Sequence, residues 1–289
     1  MSNPMKSAKL VAKTHADHRS AIALTDAITV GGEALLLVGG PCAVENQAQM
    51  DAVASRLATA PVQALRGGVY KPRTSPYSFQ GLGDEGLEIL SNVRDRSGLP
   101  VITEVMAISQ IDAVAAHADA LQIGSRNMQN FDLLKAVGSV NKPVVLKRGL
   151  AATLEEFVMA AEYVMSHGNP NVILCERGIR SFDSYTRNVL DLGAVVALKH
   201  LTHLPVIVDP SHAAGRRELI ADLAKAAIAC GADGVMVECH PDPDRSVSDA
   251  QQALSLDEMV ELVRVLRPIA QAVGRVIPMV ETVPSIALV

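Results

Sequence analysis

Cysteine is scarce in this chain and never closely spaced. Cys42, Cys175, Cys230 and Cys239 are the only four in 289 residues, with no CxxC among them. Finger-like metal spacing and a disulfide framework are therefore not indicated. The four lie in or beside apolar, strand-like runs, which points to free thiols in a reducing cytoplasm. No apolar run reaches the ~20 residues that a membrane-spanning helix needs. The opening MSNPMKSAKLVAKTHADHRS also lacks a signal-peptide hydrophobic region. A cytoplasmic chain with no membrane partner is expected. Positive charge is not in excess either: the formal net charge is −5, which argues against nucleic acid as a general partner. With 49% hydrophobic and 20% charged residues the chain is globular, and its length suits one large domain if the fold is an α/β barrel.

What is present is a repeat of short apolar runs and helical stretches. The runs are LLLVGG (35–40), ALRGGVY (64–70), VITEV (101–105), ALQIG (120–124), VVLKR (144–148), VILCE (172–176), VIVDP (206–210) and GVMVE (234–238). Several are continuously apolar, as expected of parallel strands covered on both faces. Amphipathic stretches such as 154–168, 219–231 and 256–274 lie between or after them. Eight strand–helix units predict a (β/α)8 TIM barrel over residues 33–274, with a doubly wound open sheet as the alternative. Residues 1–32 are expected to be an N-terminal docking arm or a short cap on the barrel. The apolar tail 275–289 is expected to be covered, with a subunit interface as the hypothesis.

In a barrel the functional residues belong at the C-terminal strand ends. The expected ends are Pro41 and Cys42, Lys71, Glu104, Ser125 and Arg126, Lys147 and Arg148, Glu176 and Arg177, Asp209 and His212, and Glu238 and His240. In the second run, alternation would put Arg66, Gly68 and Tyr70 on one face, with Pro72 ending the strand. Six cations stand out in an acidic chain: Arg66, Lys71, Arg73, Arg126, Lys147 and Arg177. Phosphate carries roughly −1.5 to −2, so six cations match about two phosphates plus a carboxylate, with Arg73 and Thr74 suited to phosphate oxygens. A surface salt-bridge network is the competing reading. Cys42, His212, Glu238 and Asp249 offer thiolate, imidazole and two carboxylates, a set suited to a divalent transition metal. Taken singly, Cys42 reads as a small buried hydrophobe, His212 as a core histidine and Asp249 as a helix cap.

The segments GGPCAVEN (39–46), GGVYKPRTSPYSFQGLG (67–83), QIGSRNMQN (122–130), KPVVLKRG (142–149), ILCERGIR (173–180), LPVIVDPSHAAGRR (204–217), GADGVMVECHPDP (231–243) and SDAQQAL (248–254) carry a resemblance. In that order they resemble the short, type I-beta 3-deoxy-D-arabino-heptulosonate 7-phosphate (DAHP) synthases. The resemblance implies a barrel that condenses phosphoenolpyruvate with erythrose 4-phosphate and releases phosphate, at the entry to the shikimate pathway. It implies one divalent metal (Mn, Fe, Co or Zn) on Cys42, His212, Glu238 and Asp249. Arg66, Lys71, Arg126, Lys147 and Arg177 would hold phosphoenolpyruvate, with Ser125 beside Arg126. Lys71, Pro72, Arg73 and Thr74 would face erythrose 4-phosphate. Lys71, Glu104 and His212 form the expected catalytic group: Glu104 would activate water, with a metal-bound water as rival, and Lys71 would serve in proton transfer.

The resemblance also implies a homodimer or homotetramer, and in some lineages a separate chorismate mutase partner. Ser125 stands where alanine is expected, and Cys239 where an aliphatic residue is expected. A Cys42–Cys239 disulfide is conceivable if their Cα atoms lie within about 7 Å. The first 32 residues have no room for a ferredoxin-like or chorismate-mutase-like regulatory domain, so feedback control through one is not expected. The closest rival uses arabinose 5-phosphate as acceptor, but KPRTS (71–75) differs from that enzyme's KANRS-like run. A secondary-metabolism acceptor and a non-catalytic binding barrel are further alternatives; the second would have lost a ligand or cation, and none is missing.

Overall fold

Parallel strands require long crossovers, and here each is supplied by the helical segment that follows a strand. The computed structural model describes residues 7–73 and 75–278. Strands β1 (Ile22–Ala23) and β2 (Thr29–Val30) form a small antiparallel hairpin. The chain then runs β3 (Leu36–Gly40), α1 (Gln47–Leu57), β4 (Ala64–Arg66), α2 (Asp84–Ser97), β5 (Val101–Glu104), α3 (Ile111–His117), β6 (Ala120–Ile123) and α4 (Phe131–Gly138). It continues through β7 (Val144–Lys147), α5 (Leu154–Ser166), β8 (Val172–Glu176), α6 (Leu192–Leu201), β9 (Val206–Val208), α7 (Pro210–Ala214) and α8 (Ile220–Ala229). The last elements are β10 (Gly234–His240), β11 (Leu254–Ser255) and α9 (Leu256–Ala272). Strands β3 to β10 pair in parallel in chain order, and β10 pairs with both β9 and β3. The sheet is therefore a closed (β/α)8 barrel and not an open one.

The continuously apolar runs are explained by two packed layers. Leu36, Val38, Ala64, Ile102, Val145, Ile173, Ile207 and Met236 fill the inside of the ring, while Leu37, Leu65, Val101, Leu146 and Val235 face the helices. Ile22, Leu24 and Val30 of the β1–β2 hairpin join the inner layer. The hairpin thus stoppers one end of the barrel with apolar side chains and leaves the other end to polar ones.

The second strand differs from expectation. β4 ends at Arg66 and not at Tyr70, because Gly67 and Gly68 have no side chains to pack in a ladder. Past Arg66 only Gly68 keeps a single bridge to Ala43, and Tyr70 turns out to donate to Asp84 at 2.7 Å. That early exit bends residues 67–73 over the mouth of the barrel, where Lys71 reaches the Cys42 carbonyl at 2.7 Å.

The segment preceding the hairpin is tied down chiefly by one carboxylate. Glu162 of α5 accepts the backbone N–H groups of Lys9, Leu10 and Val11 at 2.9–3.0 Å. Ala12 bridges Thr202, and Thr202 donates to the Val11 carbonyl at 2.6 Å. After α9, Val276 pairs with Ala34; most of the apolar tail, residues 279–289, lies outside the described residues. Glu162→Ala leaves three amide donors without their acceptor. It is expected to lower stability to urea by about 1–3 kcal/mol and to open residues 7–20 to limited proteolysis; an unchanged cleavage pattern would refute this anchoring role.

Candidate active site

Side chains alternate along a strand, so closure of the ring turns inward residues near the C-terminal strand ends toward one mouth. Arg66, Glu104, Lys147 and Glu238 arrive this way from β4, β5, β7 and β10. Cys42 follows β3 directly, and His212 sits on α7, whose first turn is capped by Asp209: its Oδ1 accepts the His212 N–H at 2.9 Å. Asp249 comes from the loop between β10 and β11. It has φ 56°, the one left-handed non-glycine conformation among the described residues.

The ligand atoms of Cys42, His212, Glu238 and Asp249 all lie within 4.8 Å of one another. The Cys42 thiol donates to Asp249 Oδ2 at 3.1 Å, and His212 Nε2 lies 3.3 Å from Glu238 Oε1. On its other side His212 Nδ1 meets Asp209 Oδ2 at 2.7 Å, so the Nδ1 proton faces Asp209 and the Nε2 lone pair faces the cluster. Asp249 does not act as a side-chain cap for the turn that follows it. Cys42 is buried but not in apolar company, since Lys71 Nζ lies 2.9 Å from its sulfur and Ser248 Oγ 3.1 Å.

Burial and the charge of Glu238 push the Cys42 thiol up to about 12, against Lys71. For Glu238 burial works upward, but His212 and Arg66 outweigh it and hold the carboxyl at about 2. Thiol, imidazole and two ionised carboxylates converging on one point fit a divalent transition-metal ion.

Beside the cluster is a cavity of about 500 Å3. Arg66, Lys71, Arg73, Arg126, Lys147 and Arg177 all line it, as do Pro72, Ser125 and Glu104. Thr74 lies outside the described residues. Two of the cations are paired: Arg66 with Glu238 and Lys147 with Asp209, both deeply buried. Among the described residues no carboxylate pairs with Lys71, Arg73, Arg126 or Arg177, so the cluster is not a self-neutralised salt-bridge network. Three buried guanidinium nitrogens, Arg66 Nε, Arg73 Nη2 and Arg177 Nη1, have no hydrogen-bond partner among the described residues. Unmet buried donors on this scale point to an anionic ligand that completes them.

Glu104 Oε2 accepts from Gln122 at 3.2 Å, and the carboxylate packs against Gly124, where a Cβ would come within 2.1 Å of Oε1 and displace it. Burial raises the Glu104 pKa, against the pull of Lys71 and Lys147.

Some expected strand-end residues do not reach the cavity. Arg148 and Glu176 point the other way from Lys147 and Arg177 and pair with each other at 2.8 Å, with Asp191 closing the group at 3.0 Å. His240 lies 3.2 Å from Glu45 and is not in the cavity wall. Cys239 packs in the outer apolar layer while Cys42 faces the mouth, and both thiols are free. Two arginines of the cavity wall, Arg180 and Arg187, escaped sequence reasoning because they sit in the irregular segment after β8. Counting cations in ERGIRSFDSYTRN would have found them.

A closed barrel whose mouth sets a metal-donor cluster against a cation-lined cavity defines an enzyme for phosphorylated, anionic substrates. The chain belongs to the DAHP synthetase I family, which matches residues 11–274. It is 47% identical over 270 residues to the phospho-2-dehydro-3-deoxyheptonate aldolase of Thermotoga maritima, a match covering 93% of this chain and 80% of that protein. The crystal structure of that DAHP synthase superposes with a TM-score of 0.89, covering 93% of this chain and 78% of that one. A truncated form of the Thermotoga maritima synthase superposes with a TM-score of 0.86 at 42% identity, over 93% and 98% of the two chains. The 2-dehydro-3-deoxyphosphooctonate aldolase of Syntrophotalea carbinolica is more distant, 35% identical over 251 residues, 80% of this chain and 90% of that protein.

Lys147→Ala leaves Asp209 buried with its one cationic partner gone and only the neutral His212 imidazole and the His212 N–H still donating to it. An uncompensated buried charge costs about 3–5 kcal/mol, and equilibrium urea unfolding of the variant should show a loss of that order; a loss below about 1 kcal/mol would mean the pair is not a structural one.

Proposed function

We propose that this barrel condenses phosphoenolpyruvate with D-erythrose 4-phosphate and water to give 3-deoxy-D-arabino-heptulosonate 7-phosphate and inorganic phosphate. The observation that carries the reading is the contact between a four-donor metal cluster and a cavity with three unmet guanidinium donors. Arg66, Lys71, Arg126, Lys147 and Arg177 hold the phosphate and carboxylate of phosphoenolpyruvate. Arg73, with Pro72 and Thr74 beside it, takes the phosphate of the aldehyde. A divalent ion on Cys42, His212, Glu238 and Asp249 supplies Lewis acidity toward the aldehyde oxygen; Mn, Fe, Co and Zn all suit this donor set.

The bond that forms joins C3 of phosphoenolpyruvate to the aldehyde carbon, and the aldehyde oxygen gains a proton. Lys71 is the proton carrier for that oxygen, since its ammonium stands at the boundary between cluster and cavity, 2.9 Å from the Cys42 sulfur. The cations of the cavity stabilise the negative charge that builds on the aldehyde oxygen, and the positive charge left at C2 makes that carbon the site where water adds. Water then adds to C2, Glu104 takes its proton, and the hemiketal collapses by breaking the bond to phosphate. A cytoplasmic homodimer or homotetramer is the assembly that goes with this reading.

The test is phosphate release from phosphoenolpyruvate by metal-loaded protein, with erythrose 4-phosphate or arabinose 5-phosphate as acceptor and an EDTA-treated control. Release with erythrose 4-phosphate, abolished by EDTA, is the expected result. Release with arabinose 5-phosphate alone would overturn the acceptor assignment.

For Glu104→Gln, turnover should fall about 10²–10⁴-fold while metal and phosphoenolpyruvate affinities stay as in the wild type. The base must be ionised, and burial raises its pKa. Wild-type turnover should therefore decline with falling pH at a point above the ordinary carboxylate range, a limb that the variant lacks. Full turnover in the variant would remove Glu104 from the reaction.

A further inference from the structure

Each of the two carboxylates in the metal cluster shows one oxygen to the cluster and has the other tied back. Glu238 Oε1 faces His212 Nε2 at 3.3 Å and also accepts from Arg66 on its other side, while its Oε2 accepts from Gln252 Nε2 at 2.6 Å. Asp249 Oδ2 faces the Cys42 sulfur at 3.1 Å, while its Oδ1 accepts from Arg187 Nη1 at 3.2 Å. The same Arg187 nitrogen donates to Gln252 Oε1 at 2.9 Å. Arg187 and Gln252 therefore form one chain that ends on the outward oxygen of both carboxylates.

Gln252 is 2% exposed, and its position demands a side chain that accepts from a cation at one end and donates to an anion at the other. Arginine can only donate and a carboxylate can only accept, so the amide orientation is fixed by its partners. Among side chains of this length only glutamine meets both demands. Glutamate would set a second negative charge against Glu238, and leucine would leave both partners unmet. The need for such a brace is local. Asp249 is carried by the loop between β10 and β11, and it is held in a left-handed conformation that non-glycine residues seldom adopt.

We infer that Gln252 and Arg187 are positioning residues that make Glu238 and Asp249 each offer a single oxygen to the metal. The inference rests on the metal reading of the four donors. With Cys42 and His212, single-oxygen ligation makes four protein donor atoms. Releasing the second oxygens would let each carboxylate chelate, crowding the position an aldehyde oxygen needs.

The test uses cobalt(II) titrated into chelator-treated protein, read by the thiolate-to-cobalt charge-transfer band and by the intensity of the d–d bands. Gln252→Leu and Arg187→Ala should each weaken cobalt binding by about 10–100-fold. The d–d bands should lose intensity, as coordination number rises when a carboxylate chelates. Arg187→Lys, which keeps the charge and a donor, should restore part of the affinity. Arg187 is well exposed, 39% at the side chain, so its variants stay folded even where Gln252→Leu does not, and the metal-free melting temperature of Arg187→Ala should match the wild type. Wild-type affinity and an unchanged d–d spectrum in Arg187→Ala would overturn the inference. A wild-type protein with no charge-transfer band would overturn the metal reading and this inference with it.

Discussion

Buried charge in this barrel is balanced across the strand ring, Arg66 of β4 against Glu238 of β10 and Lys147 of β7 against Asp209 after β9. Removing such groups from water costs several kcal/mol per ion, so neither pair would persist without close partners. Their consequence is geometric. Arg66 holds the carboxylate that faces His212, and Lys147 holds the carboxylate that orients the His212 ring. Two residues facing the substrate cavity thus also fix the metal cluster, so that cavity and cluster cannot shift independently.

What is left over after this pairing is what the site has to offer. Lys71, Arg73, Arg126 and Arg177 line the cavity without carboxylate partners among the described residues, and three guanidinium nitrogens lie buried and unmet. The cluster on the other side holds acidic donors in surplus. In the proposed reaction an anionic substrate would complete the first group and a divalent cation the second.

The barrel divides its labour along its axis. At one end the β1–β2 hairpin adds Ile22, Leu24 and Val30 to an apolar interior; at the other the same interior gives way within one residue step to Arg66, Lys147 and Glu238. Short strands make this possible, since β4 and β9 contribute only three residues each. The loops can then carry chemistry on a rigid frame, as the Asp249 loop does with Arg187 and Gln252 behind it.

Much of this was legible from local pattern. Continuous apolar runs and glycine-stopped helices are set by burial on both faces and by backbone propensity, and both act over a few residues, so all eight strands could be read to within a few residues. The cations and the donor set were legible because their chemistry travels with the residue type. Convergence was not. Cys42 and Asp249 are 207 positions apart, and only ring closure makes them neighbours. Alternation places Lys147 and Arg148 on opposite faces, but only the packed ring shows which face is the mouth. The early end of β4, the diversion of Arg148 and Glu176 into their own pair, and the brace from Arg187 through Gln252 all depend on contacts between distant segments. The sequence by itself determined the elements, the barrel and the chemical inventory, because those rest on short-range periodicity and side-chain type. The tertiary structure decided which charges pair and which stay open for a ligand, because the energy of a buried charge depends on neighbours that only folding supplies.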